Sequence, residues 1–369
     1  MTYPDYNRSL LALISSVLKH YGVNTPHKTL PEFDNLLEKK YKNIVVMVFD
    51  GMGTAILERH LPHFAFLRRQ LAGSISSVFP PTTTAATVTL LSGLSPIEHG
   101  WLGWSLYFDE LDANVSIFPN TLSGTGGQKA ADYHVAGRYI KYKSVFEKIT
   151  EATGGRVGAH FVSPFSEYKV KCLNEICDAV KRLCLADGQK YIYTYWHQPD
   201  YDMHDLGTKH ERISCDIRQI NDSVESLCRS LSDTLVIVTA DHGMVDTEWR
   251  YIKDYPDLAD CLLRQPSIES RAMTFFVKPG MKTEFESAFN AHFGDYYILY
   301  TKEKALDTGL FGPGTPNTRA VGFIGDYFAI ATGNVSIEST PSKDHDVFKA
   351  AHAGMTYDEM TVPFIVFEC

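Results

Sequence analysis

Acids, histidines and hydroxyls stand in this chain where apolar runs stop. "NIVVMVF" (43–49) ends on Asp50, with Gly51 and Gly53 just beyond. "DTLVIVTA" (233–240) ends on "DHGM", which sets Asp241 beside His242. "KYIYTYWH" (190–197) leads into "QPDYDMHDLG", where Asp200 and His204 are four residues apart. "PPTTTAAT" (80–87) follows another strand-like run, and "AAHAGMT" (350–356) precedes the last one. One acid at such an end is ordinarily a cap or a salt-bridge partner. Several converging ends suggest an ion site, because a carboxylate at the end of a buried strand is tolerable when a cation neutralises it. Asp241 and His242 reach one ion if the backbone turns after them, and Gly243 permits that turn. A helical turn through 200–204 would aim Asp200 and His204 at a common ion. Oxygen and nitrogen ligands without thiolate suit zinc or manganese.

The elements that must carry these residues alternate in type. "NIVVMVF", "GSISSVF" (73–79), "RVGAHFV" (156–162), "KYIYTYWH", "DTLVIVTA" and "VPFIVFE" (362–368) read as strands. Between them, "TAATVTLLSGL" (84–94) reads as a helix stopped by Gly93, and "SVFEKITEAT", "KCLNEICDAVKRLCLA" and "ERISCDIRQINDSVESLCRSL" as further helices. "GTAILERHLPHFAFLRRQ" is helical on either side of Pro62. Such alternation predicts a mostly parallel central sheet with helices on both faces. In such sheets ligands collect at the carboxyl ends of the strands, where the polar residues above fall. Residues 251–345 read differently, as the short strands "AMTFFVK", "YYILYTK" and "YFAIATG" with the helix "KTEFESAFNAHF" between the first two. This stretch is expected to form a smaller inserted α+β cap subdomain. The catalytic core is then 1–250 with 346–369, and 105–142 is a second insertion.

The totals narrow the function classes. With 369 residues, 44% hydrophobic and 21% charged, the composition is that of a soluble globular chain. A net charge of -9 argues against binding a nucleic-acid polymer. An anionic small molecule would have to be received by local positive charge. Cys172, Cys177, Cys184, Cys215, Cys228, Cys261 and Cys369 form no CxxC pair. Reduced cysteines imply a cytoplasmic protein. The segment "MTYPDYNRSLLALISSVLKHYG" lacks a basic leader and a small-residue cleavage site, so it is expected to be a surface helix and not a signal peptide. No apolar stretch nears about 20 residues, so no membrane span is expected.

The motifs "VVMVFDGMG", "FPPTTTAATVTLLSGLSPIEHG", "PDYDMHDLG", "TADHGM" and "HAGMTYDEMTVPFIVF" occur in one order over roughly residues 43–368. In these the chain resembles the alkaline phosphatase superfamily, and within it the type I phosphodiesterase/nucleotide pyrophosphatase branch. The resemblance implies two divalent metal ions, zinc or manganese. Asp200, His204 and His352 would hold one, and Asp50, Asp241 and His242 the other, together with the oxygen of a nucleophile. That nucleophile falls on Thr83, between the similar hydroxyls of Thr82 and Thr84. The implied activity is hydrolysis of a small phosphorylated substrate, such as a nucleotide, at a phosphodiester or pyrophosphate bond, through a phosphoryl-threonine intermediate.

The pattern departs from the family in three places. Ala86 stands where nucleotide pyrophosphatases carry an asparagine that donates to a phosphate oxygen. No equivalent of the monoesterases' phosphate-binding arginine is visible, and Arg271 and Arg319 are expected to be solvated. The final motif reads "HAG" where many relatives have "HG". Hydrolysis of a phosphonate bond, hydrolysis of phosphomonoesters, a phosphoglycerate mutase-like isomerisation and metal binding without catalysis are therefore carried as alternatives. His197 and His345 are expected in surface or supporting roles. His99 would pin a turn, and the aromatics of "WLGWSLYF" (101–108) would pack in a core or stack on a nucleobase.

Overall fold

The computed structural model describes residues 1–341 and 347–369. His345 therefore lies outside the described residues. Six strands form the central sheet: β1 (Asn43–Phe49), β2 (Leu71–Ser76), β3 (Val157–Val162), β4 (Gln189–Trp196), β5 (Thr234–Thr239) and β6 (Thr361–Glu368). Their order across the sheet is β2-β6-β5-β1-β4-β3. Every residue of β1 and of β5 is buried, which requires cover on both faces and accounts for their unbroken apolar sequence.

The sheet is mixed, where a mostly parallel one was expected. β5, β1, β4 and β3 are mutually parallel, whereas β6 runs antiparallel to both β5 and β2. The reason lies in the connection. The loop carrying His352 sits at the carboxyl ends of β1 and β5, and the chain enters β6 from there at Thr361. It can only run back down the sheet.

Two groups of helices flank the sheet. One contains α1 (Leu10–His20), α2 (Thr83–Ser92) and α3 (Val145–Thr153), and the other α4 (Leu173–Leu185) and α6 (Glu211–Ser230). The short α5 (Asp200–Leu206) crosses the carboxyl end. α1 is not a surface helix: Leu10 through Leu18 are all buried in the main core. Ser16 and the capping Ser9 are tolerable inside because they are bonded, whereas Ser15 Oγ is buried without a partner. Ser16 Oγ accepts from the Leu30 amide at 2.9 Å, and Ser9 caps the helix by accepting from the Ala12 amide. Among the described residues no helix is long and apolar enough to cross a membrane.

The stretches read as two separate insertions contribute to one second sheet. Its order is Tyr297–Thr301, Tyr327–Ala331, Ala272–Phe275, Ser267–Ile268, Ser105–Phe108, Ala113–Ser116, Thr121–Leu122, with antiparallel pairing throughout. The helix Lys282–Phe293 packs Phe285, Phe289 and Phe293 against it.

Arg271 ties this second sheet to the first and is fully buried, contrary to the solvated role expected of it. Its Nε and Nη2 donate to Glu359 Oε1 and Oε2 at 2.6 and 2.9 Å. Nη1 and Nη2 also donate to the carbonyls of Val335 and Gly333. Glu359 accepts in turn from the Gly354 amide at 2.7 Å and from Thr356 Oγ1 at 2.6 Å, so the pair holds the loop after His352. Arg319, by contrast, makes a forked pair with Glu110 near the surface. Removing one partner of a buried, fully bonded pair leaves the other charge uncompensated. Arg271→Met should therefore cost about 3–5 kcal/mol in urea unfolding. A loss below about 1 kcal/mol, the range of an exposed pair, would show that the charge is not buried as described.

Candidate metal centre

Each chemistry-bearing residue is delivered by the end of an element. Asp50 is the first residue beyond β1, and Asp241 and His242 follow β5 by one residue. Asp200 and His204 lie one turn apart on α5, and His352 comes from the loop before β6. Two close backbone approaches make the convergence possible. Gly51 has φ +70, and a Cβ there would lie 2.9 Å from Asp200 Cβ. A Cβ on Gly243 would lie 1.8 Å from the Asp358 carbonyl oxygen. Any side chain at either position would push the ends of β1, β5 and the His352 loop apart.

The six side chains gather into the two expected groups. Asp200, His204 and His352 present ligand atoms within 4.8 Å of one another, and so do Asp50, Asp241 and His242. The groups adjoin: the rings of His242 and His352 stack with centroids 3.8 Å apart. All three histidines are oriented alike. Nδ1 faces a backbone carbonyl in each, Gly243 O at 3.0 Å for His242, Ala350 O at 2.8 Å for His204 and Pro81 O at 3.2 Å for His352. A carbonyl only accepts, so Nδ1 carries a proton there and Nε2 is the nitrogen turned to the carboxylates. This is the arrangement that fixes an imidazole for a metal.

The carboxylates point to the same conclusion. Asp50 Oδ1, Asp200 Oδ1 and Asp241 Oδ2 are buried without a hydrogen-bond partner. Burial, and after it the neighbouring charge of Asp200, pushes the Asp50 carboxyl well above its usual range, and burial and Asp50 do the same to Asp241. Burial also resists charge on Asp200 and His204. Their mutual attraction prevails, holding Asp200 well below the carboxylate range and lifting His204 to about 9. Burial and the adjacent His242 keep His352 neutral, as a ligand must be. Orphaned acceptors, crowded acids and imidazoles with Nε2 turned inward fit divalent cations bound by oxygen and nitrogen.

Of the three neighbouring threonines, Thr83 faces this centre. Its Oγ1 lies 3.1 Å from His242 Nε2 and 3.4 Å from Asp50 Oδ2, while Thr84 Oγ1 is buried without a partner and Thr82 Oγ1 donates to Glu269. Thr83 is the first residue of α2, one earlier than the sequence suggested, and Gly93 ends that helix at φ +68. Ala86 is buried in the main core and brings no donor to the centre.

The remaining expectations sort by contact. His99 is buried and neutral; its Nδ1 accepts from the Trp101 amide, which pins the turn after α2. His197 lies outside both groups, edge-on to the Tyr201 ring. Trp101 and Phe108 are core residues, whereas Trp104 is 45% exposed. Two residues near the centre escaped the sequence reading. Tyr195 donates to Asp50 Oδ2; it shares a strand face with Tyr191 and Tyr193, and that period-two pattern was its signal. Glu269 accepts from Thr82 Oγ1 at 2.5 Å, and burial pushes its carboxyl up to about 7. No sequence signal marks it.

Fold and centre together define a chain of the alkaline phosphatase superfamily. The model of the type I phosphodiesterase/nucleotide pyrophosphatase family matches residues 44–356, and the chain belongs to that family. Among solved structures it resembles murine ectonucleotide pyrophosphatase/phosphodiesterase 5, at TM-score 0.64 and 18% identity over 88% of each chain. An inactive threonine-to-alanine form of that murine protein in complex with AMP superposes at TM-score 0.64 and 17% identity, over 88% of this chain and 87% of that one. Phosphonoacetate hydrolase from Sinorhizobium meliloti in complex with phosphonoformate matches at 0.62 and 16%, over 88% of this chain and 89% of that one. No curated protein matches the sequence at a significant level. Family membership supports a phosphoester hydrolase of phosphodiesterase or pyrophosphatase type.

A cation that binds the folded chain alone stabilises it by mass action. Zinc or manganese at about a hundred times its dissociation constant should add about 2.7 kcal/mol to stability, read as a rise in Tm that excess chelator reverses. Asp50→Asn should lose most of that rise. An unchanged Tm with both metals would contradict the assignment of the two groups as ion sites.

Proposed function

We propose that this protein is a two-metal hydrolase of phosphate esters that cleaves phosphodiester or nucleotide pyrophosphate bonds through a phosphoryl-threonine intermediate on Thr83. One observation carries the reading: Thr83 Oγ1 stands against the Asp50, Asp241 and His242 group, beside both Asp50 Oδ2 and His242 Nε2. Asp50, Asp241 and His242 would hold one ion, and Asp200, His204 and His352 the other. When bound, the ions would supply Lewis acidity and charge neutralisation for in-line displacement at phosphorus.

The chain's own residues do the rest. A threonine hydroxyl is a weak nucleophile at neutral pH, and Asp50 Oδ2 and His242 Nε2 are the acceptors that its proton meets. Tyr195 donates to the same Asp50 oxygen and fixes the carboxylate. Thr83 opens the ten-residue α2, whose unpaired amides and dipole favour negative charge on the transferred group. Thr83 Oγ forms a bond to phosphorus as the bond to the leaving oxygen breaks. Water then cleaves the threonine ester and restores the hydroxyl.

Exposed aromatic rings near the mouth suit an organic substituent on the phosphate. Phe165 is 74% exposed and packs on Tyr195, and Tyr201 is 64% exposed on the helix that carries Asp200. A nucleobase stacked on such a ring gains about 1–3 kcal/mol. The AMP complex of the murine structural relative supports a nucleotide, and the phosphonoformate complex of the bacterial one keeps phosphonates among the substrates to assay.

Thr83→Ala tests the reading on a panel of nitrophenyl diester, nitrophenyl monoester and phosphonoacetate. The variant should lose at least about a thousandfold in kcat on the best substrate of the panel, in the range of removing a covalent nucleophile. It should keep its metal content. Diester hydrolysis at the parental rate would place the nucleophile elsewhere, and the best turnover on phosphonoacetate would reassign the substrate.

A further inference from the structure

Glu269 is brought to Thr82, the residue before the nucleophile, by a strained piece of backbone. The residue before it, Ile268, is β-branched and buried yet held at φ +84, a conformation such side chains avoid. Strain of this kind persists where surrounding structure imposes it, and it gathers at functional sites. Its effect here is to turn the chain out of a two-residue strand so that the Glu269 side chain meets the start of α2. Gly103 allows the same close approach from the other side, since a Cβ there would lie 2.6 Å from the Ile268 carbonyl oxygen.

The hydrogen bonds of Glu269 are one-sided. Thr82 Oγ1 donates to Oε1 at 2.5 Å and the Trp104 amide donates to the same oxygen at 2.7 Å. Thr82 is the N-cap residue of α2, and it gives up the usual capping bond to make this one. Both bonds fall on Oε1, so Oε2 is left for a ligand. Among the described residues no basic side chain pairs with Glu269. Arg271, two residues on, is committed to Glu359. The carboxyl is therefore anchored, without a salt-bridge partner, on the residue that precedes the nucleophile. Beside it stand the half-exposed ring of Trp104 and, edge-on at 6.0 Å, that of Phe118.

This placement bears on the charge of the substrate. The three aspartates of the ligand groups and Glu269 together balance two dications, which leaves no surplus positive charge for a doubly charged phosphate. A phosphodiester carries one negative charge, and a phosphomonoester or inorganic phosphate carries up to two near neutral pH. Like charges at short range in a water-poor site repel far more than in bulk water.

We propose that Glu269 is a specificity-determining residue that selects phosphodiesters over phosphomonoesters by presenting a carboxylate where a monoester would place an anionic oxygen, with the ester's organic group lying against Trp104. The proposal rests on the reading of the site as a metal-loaded phosphate-ester centre and names the substrate class for it.

Binding tests this without turnover. Zinc-loaded wild type, Glu269→Gln and Glu269→Ala are titrated by calorimetry with inorganic phosphate and with dimethyl phosphate. Gln keeps an acceptor for Thr82 and Trp104 and removes the charge, whereas Ala removes both. Both variants should bind inorganic phosphate about tenfold or more tightly, about 1.4 kcal/mol, with dimethyl phosphate changed less than about threefold. The ratio of kcat/KM for bis-nitrophenyl phosphate over nitrophenyl phosphate should fall by a similar factor. Unchanged phosphate affinity in Glu269→Gln, an equal shift for both anions, or a change in Glu269→Ala alone overturns the proposal. Wild type that binds phosphate but cleaves no ester refutes the hydrolase reading while the binding comparison still decides this one. Failure of all three proteins to bind either anion refutes both.

Discussion

Asp50 Oδ1, Asp200 Oδ1 and Asp241 Oδ2 are buried together at one end of the sheet, and no hydrogen bond satisfies any of them. Burying an unpaired carboxylate costs several kcal/mol, and three in contact repel one another as well. Among the described residues no lysine or arginine pairs with them. The imidazoles are tethered through Nδ1 to backbone carbonyls and turn Nε2 toward the carboxylates. The arrangement fits divalent cations, and most of the surrounding architecture reads as a means of holding it.

That architecture spans both sheets. β1 and β5 are neighbours in the central sheet, so Asp50 and Asp241 come together without any loop having to reach. α5 lies across the same end and sets Asp200 and His204 facing them. His352 comes from a loop pinned by Glu359, which Arg271 holds from the second sheet. The carbonyl of Glu359 also accepts from the Gly243 amide at 2.9 Å, so one residue steadies the loops of both His352 and His242. Ala353, next to His352, sits at φ +92, which is strain of order 1–3 kcal/mol at the edge of the site. The second sheet thus positions ligands as well as carrying Glu269 and Trp104.

How much of this was legible depended on distance along the chain. Asp50, Asp241, His242, Asp200 and His204 were visible because strand ends and helical spacing are local signals. The choice among Thr82, Thr83 and Thr84 was a matter of resemblance in sequence and becomes a matter of which hydroxyl turns to Asp50 in structure. Strand direction left no trace: β6 has the apolar run of its neighbours, and its reversal is set by where the His352 loop delivers the chain. Arg271 looked solvated because its partner lies 88 residues away, and burial of a lone arginine cannot be read without that partner. α1 looked amphipathic because its serines are polar, although a backbone group from outside the helix satisfies Ser16. Glu269 follows a β-branched residue whose local preference contradicts the conformation it adopts, so propensity pointed away from it.

The central claim is that two cations occupy the two groups of side chains side by side. Anomalous diffraction at the metal edge from crystals of the zinc- or manganese-loaded protein locates them directly. The account predicts two peaks about 4 Å apart, one enclosed by Asp50, Asp241 and His242 and the other by Asp200, His204 and His352. A single peak, or peaks away from both groups, would contradict it.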